Sequence, residues 1–403
     1  MARNVLSPGK VLAVGVALTL VVGACSSAAT ASPPPASSAA SAPASASAAS
    51  SASAAASAAA SGAGASTCVQ TATQNTQAAM QAMKLTLPSD PVTMSKNAGK
   101  TIYYIAPVLA IPFIAAIADG VKAAATAAGM KAVIFDGKGN VDTFNQGVST
   151  AVNQKADGII LQGINPSLVS GPLAKAQAAG IPVIDSLNGD PNQPLPSGVL
   201  AHVTVDYTLG GKLMADWVLA DSKCAGEAEV FTSSIYEVYK NMLAGFQGEF
   251  NSLCPTCKID GVENIAPDQL ATSLPTVTST ALQRFPNLGY LVPFYDAMVP
   301  NMVPSVQTAS HKAKIISHDG VPANLDMIRS ASGQDADVSN PPNAAMGWAE
   351  VDEVGRLMAG QQPVAEDLPQ QVFVQSNLPA NDADLFPGYA GYQDKYLALW
   401  GVK

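Results

Sequence analysis

The chain has 403 residues, 48% of them hydrophobic and 13% charged, with 30 acidic against 21 basic side chains and a net charge of −9 at pH 7. That acidic balance excludes a nucleic-acid surface, which needs a basic stripe to neutralise phosphates, and three histidines leave few players for acid–base or metal chemistry. The length exceeds what one hydrophobic core sustains, so two lobes are expected.

In chain order, Arg3 and Lys10 precede an uncharged run from Val11 to Val22, then the small pair Gly23-Ala24 and Cys25. This is the charged, apolar and small-residue order of a secretory signal, and its apolar stretch is short of the roughly 20 residues that span a bilayer. Val22-Gly23-Ala24-Cys25 resembles the bacterial lipobox. The resemblance implies diacylglycerol on the Cys25 thiol and a membrane anchor on the outer face of the cell membrane. Residues 26–66 use only Ala, Ser, Pro, Gly and Thr, which cannot bury enough apolar surface to offset the entropy of ordering, so they read as a disordered tether. A flexible chain of that length spans roughly 35 Å. Removing the signal leaves 19 basic against 30 acidic residues. A short helix over Cys68 to Lys84 is expected within an N-terminal extension of residues 67–99.

From Lys100 onward short β-branched runs alternate with longer Ala-rich stretches. Strands are expected at Thr101–Ile105, Lys131–Phe135, Gly158–Leu161, Ile181–Asp185 and Ala201–Val205, with helices at Pro112–Ala128, Val141–Gln154 and Ser167–Ala179 between them. The alternation then restarts. Strands at Ala228–Thr232, Lys258–Val262, Gly289–Val292 and Ala313–Ser317 are separated by helices at Leu209–Ala220, Tyr239–Ser252, Gln269–Arg284, Ala297–Ala309 and Ala323–Ser330. Near-continuous apolar strands between helices imply parallel sheets covered on both faces, so the fold class is α/β with two doubly wound lobes. Ligands of such sheets bind outside the carboxyl ends of the strands, which makes the loops after Ile105, Phe135, Asp185, Thr232, Val292 and Ser317 the candidate site.

Seven motifs in order carry a family resemblance: Pro112-Phe113; Gly120 with Gly129-Met130; Lys155-Ala156-Asp157-Gly158-Ile159-Ile160; Ala179-Gly180-Ile181-Pro182-Val183-Ile184; Val205-Asp206-Tyr207-Thr208-Leu209-Gly210-Gly211; Gly245-Phe246; and His318-Asp319-Gly320. They resemble the type I periplasmic substrate-binding proteins, in particular the ribose and galactose group of ABC-transporter receptors. The resemblance implies a three-crossing hinge, placed near Asp206, Asn340 and Gln375, with an N-lobe of 100–206 plus 342–375 and a C-lobe of 207–341 plus 376–403. It also implies a monomer that captures a small molecule without a cofactor and delivers it to an ABC transporter permease. A sensor that presents its closed form to a membrane signalling protein is the alternative within the binding class. An exported enzyme on the same fold has against it the absence of any Gly-x-Ser-x-Gly elbow.

Asp319 leads the candidate ligand contacts, because an ionised carboxylate at a strand end accepts two hydroxyl hydrogen bonds; capping of the next helix is the less favoured alternative. Phe113 offers a flat apolar face to a sugar or an aromatic ring, or packs as a helix start. Asn340, before Pro341, matches a hinge-side amide of the family or a turn residue. Asp136, Asp185, Asn188, Asp206, Tyr236, Tyr295 and Asp296 lie on expected loops at strand ends or crossings and together can line a cleft. The departures from the family are informative. Lys240-Asn241-Met242 stands where sugar-binding relatives place an arginine, Leu109-Ala110-Ile111 replaces an asparagine-rich approach, and Tyr295 stands where asparagine is common. A pocket without a guanidinium fork is less polar, so a sugar comes first and an aromatic or less polar catabolite close behind.

With Cys25 lipidated, Cys68, Cys224, Cys254 and Cys257 remain, an even number that points to disulfides in an oxidising compartment with three possible pairings. Cys254 and Cys257 form a Cys-x-x-Cys spacing, but it follows a helix instead of opening one, so no helix dipole lowers a thiol pKa and a structural bridge, or two half-bridges to other cysteines, is favoured over redox catalysis. Ligands for a zinc site are absent. His318 and Asp319 are neighbours on a strand and are expected to point to opposite faces. Trp348 and Trp400 read as packing residues.

Overall fold

The computed structural model describes residues 66–402 apart from 311, 365 and 367; the export signal with Cys25, the tether up to residue 65 and His311 lie outside the described residues. In the first lobe, β1 (Thr101–Ala106), β2 (Lys131–Asp136), β3 (Gly158–Gln162), β4 (Val183–Ser186) and β5 (Ala201–Val203) form one parallel sheet in the order β2-β1-β3-β4-β5. β3 is buried along its whole length because helices cover both faces, whereas β2, on the edge, is half exposed. The crossovers are α2 (Pro112–Ala127), α3 (Val141–Asn153) and α4 (Ser170–Ala178). Pro112 at the first helical position has a fixed φ suited to helix entry, and the Asn140 side chain accepts hydrogen bonds from the Asp142 and Thr143 amides to open α3.

After α5 (Tyr207–Asp221) the same winding recurs. β6 (Glu227–Thr232), β7 (Lys258–Asn264), β8 (Tyr290–Pro293), β9 (Lys314–Asp319) and β10 (Ala336–Ser339) run parallel in the order β7-β6-β8-β9-β10. The connecting helices are α6 (Val238–Leu253), α7 (Leu274–Arg284), α8 (Val299–Thr308) and α9 (Pro322–Arg329). This is the α/β class and the doubly wound parallel architecture expected.

The hinge differs from expectation at its third crossing. α10 (Asn343–Met358) packs on α2 and the first sheet, but β11 (Gln371–Val374) pairs antiparallel with β10, Ser339 opposite Gln371. The chain has therefore returned to the second lobe before Gln371, not at Gln375, because an open sheet edge at β10 is satisfied by the next available strand. The tail is also reassigned. Leu378, Leu385 and Phe386 pack on Leu325, Ile328 and Phe373 of the second lobe, but α11 (Tyr392–Trp400) lies on α10 of the first. There Trp400 stacks on Trp348 with ring centroids 5.2 Å apart and donates its indole N–H to Asp352.

The N-terminal extension makes a further connection between the lobes. Its helix α1, residues 66–79, is bonded through Cys68–Cys224 to the loop after α5, and the Asn75 amide donates to Asp216 on α5. Its distal end reaches α10, where the Asn97 amide donates to the Gly355 carbonyl and Arg356 to that of Asp90. Extension and tail meet where Lys84 bridges Gly388. A disulfide closing so long a loop stabilises the folded chain by about 2–4 kcal/mol. The second bridge, Cys254–Cys257, lies in the loop between α6 and β7. Among the described residues no helix is long and apolar enough to cross a membrane and no cluster could hold a metal ion.

Candidate functional site

The carboxyl ends of the strands in the two lobes converge on two adjoining cavities. The inner one, about 30 Å³, is lined by Phe113, Gln162 and Leu187 from the first lobe and by Tyr207, Tyr236, Tyr239, Tyr295 and Asp319 from the second. Tyr239 and Tyr295 stack with centroids 5.7 Å apart, and Tyr236 stands edge-on to both at 5.4 and 6.1 Å. Such offset and edge contacts are each worth about 1 kcal/mol, and they hold the phenol groups in place.

Asp319 ends β9 with φ at 133°, a conformation rare outside glycine, and is buried. This departure from extended backbone overrides the alternation of strand faces, so the His318 Nδ1 lies 3.2 Å from Asp319 Oδ1 rather than on the opposite face. Burial holds the His318 imidazole neutral, with its pKa lowered to about 4, and pushes the Asp319 carboxyl upward. The Gln370 amide lies 2.7 Å from His318 Nε2 and donates to Asn340 Oδ1 at 3.2 Å. With Nε2 accepting, the other ring nitrogen carries the proton and donates to Asp319. A residue of the third crossing is thereby joined to the cavity floor.

Four polar atoms here are buried without a partner: the hydroxyls of Tyr236 and Tyr295, Oε1 of Gln162 and Nδ2 of Asn340. Native interiors pair nearly all such groups, so these four atoms are free to bond to a ligand or to water. The outer cavity, about 670 Å³, falls within the range of small-molecule sites. Ile111 and Phe113 border both cavities, and Val108, Leu270, Pro300 and Val321 continue the apolar wall, with Lys138 and Asp268 as its charged members.

Residues 102–362 match the family described as the periplasmic binding protein domain. The chain belongs to that family. A curated relative, the D-apiose import binding protein of Actinobacillus succinogenes, is 35% identical over 107 residues, 25% of this chain and 34% of the relative, so the match spans about a third of that protein's length. Among solved structures, an ABC sugar transporter subunit from Rhodobacter sphaeroides superposes with a TM-score of 0.62 at 21% identity, covering 70% of this chain and 99% of the other. An ABC transporter solute binding protein from Burkholderia graminis in complex with D-arabinose gives 0.63 at 22%, covering 70% and 98%. Identities this low establish the fold. The family is one of binding domains, not enzymes.

Of the candidate ligand contacts in this binding protein, Phe113, Tyr236, Tyr295 and Asp319 line the inner cavity, and Asn340 adjoins it through Gln370. The remaining five line neither cavity, because each is engaged by other protein groups. Asp136 accepts from the Leu109 and Lys138 amides, both at 3.1 Å. Asp185 is paired with His202, and the Asn188 amide donates to the Ile164 carbonyl. Asp206 caps α5 by accepting from the Leu209 amide. Asp296 accepts from the Ser317 hydroxyl and the Val321 amide. Backbone amides left unpaired where a strand ends are satisfied by the nearest short polar side chain, which withdraws that side chain from the cleft. Gln162, Leu187, Tyr207 and Tyr239 line the cavity without having been expected there. Tyr239 is accessible by spacing, three residues after Tyr236 at a helix start, where such pairs share a face. Leu187 reaches the cavity through a positive φ of 55° that nothing in its identity signals.

Proposed function

We propose that the chain is an extracytoplasmic solute-binding lipoprotein that captures a small sugar or sugar-like molecule between its lobes and delivers it to an ABC importer. The observation that carries this reading is the cluster of unpartnered polar atoms beside Asp319, contributed by both lobes: Gln162 Oε1 from one, the Tyr236 and Tyr295 hydroxyls from the other. A ligand that bonds to both halves favours the closed arrangement by its differential affinity. The sugar class draws support from the D-apiose, D-arabinose and sugar-transporter relatives. The apolar outer wall favours, as a second reading, an aromatic or less polar solute.

Calorimetric titration with pentoses, hexoses and small aromatic catabolites is expected to give one-to-one saturation by at least one class. Phe113→Ala should weaken that binding about tenfold, the loss of one aromatic contact. A Phe113→Ala variant that binds as tightly as the parent removes Phe113 from the site, and an absence of binding across the panel removes the function.

Lipidation of Cys25 and a monomeric receptor tethered by residues 26–66 complete the proposal. A tether raises the effective concentration of the receptor at a membrane permease. Cys25→Ser should abolish incorporation of labelled fatty acid and shift the protein from the membrane fraction to the soluble one; unchanged fractionation would contradict the anchor.

A further inference from the structure

Resting on the receptor reading above, we infer that the buried end of the solute is a protonated primary amine seated in the inner cavity against Asp319. The first ground is charge. The lining of this cavity holds one carboxylate and no lysine or arginine, and among the described residues the ion-pair partner of Asp319 is His318, which burial keeps neutral. Asp296 and Asp337, both fully buried, lie close enough for their charges to interact with that of Asp319 and likewise have no basic ion-pair partner among the described residues. Burial without a counter-ion favours the protonated carboxyl, and a cationic ligand supplies the charge that lets Asp319 ionise.

The second ground is hydrogen bonding. Gln162 Oε1 is an acceptor, Asp319 is an acceptor when ionised, and the unpartnered hydroxyls of Tyr236 and Tyr295 can each accept as well as donate, with Asn340 Nδ2 the one pure donor. An alkylammonium group has three donors and no acceptor, which suits the acceptors Asp319 and Gln162 and the lone pairs of the two hydroxyls. The third is the wall itself. Tyr207, Tyr236, Tyr239 and Tyr295 present rings to the cavity, and a cation is drawn to an aromatic face with a strength that grows on desolvation. The fourth is size. About 30 Å³ matches one water-sized group and therefore an ammonium head, leaving the body of the solute to the larger apolar cavity beyond Ile111 and Phe113. A neutral sugar hydroxyl can also bond to Asp319, but it supplies no charge to hold the carboxyl ionised.

The test is titration of the full chain with pairs that differ only at the amine: D-glucosamine against D-glucose, and tyramine against tyrosol, within a wider panel of neutral sugars and primary amines. The amine should bind at least tenfold more tightly than its hydroxyl counterpart in at least one pair, and Asp319→Asn should erase that preference. Asparagine tolerates positive φ better than most residues, so the variant is expected to fold, and the wild-type comparison stands without it. If neutral members bind as tightly as their amine partners, or tighter, the inference fails and the receptor reading survives. A preference that persists in Asp319→Asn also overturns it. If nothing in the panel binds, the receptor reading falls together with this one.

Discussion

Gly211→Leu is expected to destabilise the protein by about 4 kcal/mol, read as a lower urea midpoint, and Gly245→Leu by a similar amount. α5 and α6 cross so closely that a Cβ on Gly211 would lie 1.9 Å from the Met242 carbonyl oxygen, and one on Gly245 would lie 2.1 Å from that of Thr208. The obstruction is helix backbone, which cannot swing aside as a side chain can. The helices must separate, and the contacts of Met214, Val218, Phe246 and Phe250 between them loosen together. Gly248, one turn from Gly245 on the exposed side of α6, has nothing within 4 Å of its would-be Cβ. Gly248→Ala should therefore leave stability unchanged or raise it by up to about 1 kcal/mol, since glycine is the weaker helix former. Equal effects at positions 211 and 248 would refute the close-crossing argument. The first lobe uses the same device, with Gly120 against the Ala344 carbonyl and Gly347 against that of Ile117.

The second large effect concerns pH. Glu350, on α10, is fully buried, accepts a hydrogen bond from the Ser186 hydroxyl, and has its pKa raised by burial from 4.5 to about 8. A carboxyl group whose pKa is higher in the folded state binds protons preferentially there. Its contribution is complete below pH 4.5 and is lost as pH rises through 8, when the buried group must ionise. Burial shifts Glu353 in the same direction, to about 7. His318, depressed to about 4, acts the opposite way below pH 6.5, so comparison of a variant with its parent isolates Glu350. Glu350→Gln should gain on the wild type by about 5 kcal/mol between pH 4 and pH 9, at about 1.4 kcal/mol per pKa unit. Parallel stability curves for the two proteins across that range would show that Glu350 does not titrate in this window.

Much of the site is legible in the order of residues, for reasons that particular positions make plain. Phe113 follows a proline that can only open a helix, so its place at a strand end and helix start is local information. Asp319, followed by glycine at the end of a β-branched run, is likewise placed by its neighbours. Asp185 and Asp296 occupy equally suggestive strand ends, yet one is paired with His202 and the other with Ser317 and Val321. Those partners come from other strands and loops, and no reading along the chain discloses them.

The sequence by itself determined the alternation of apolar strands and covering helices, and hence two doubly wound lobes whose strand ends meet at a cleft. Periodicity and burial are local consequences of residue type, so they survive without knowledge of contacts. Tertiary structure alone decided that β11 closes the second sheet and that α11 returns to the first lobe. It also decided that Tyr207 and Tyr239 join Tyr236 and Tyr295 around the buried carboxyl group of Asp319. Each of those outcomes depends on which unsatisfied edge, apolar face or charge lies nearest in space, and that distance is not written in the order of residues.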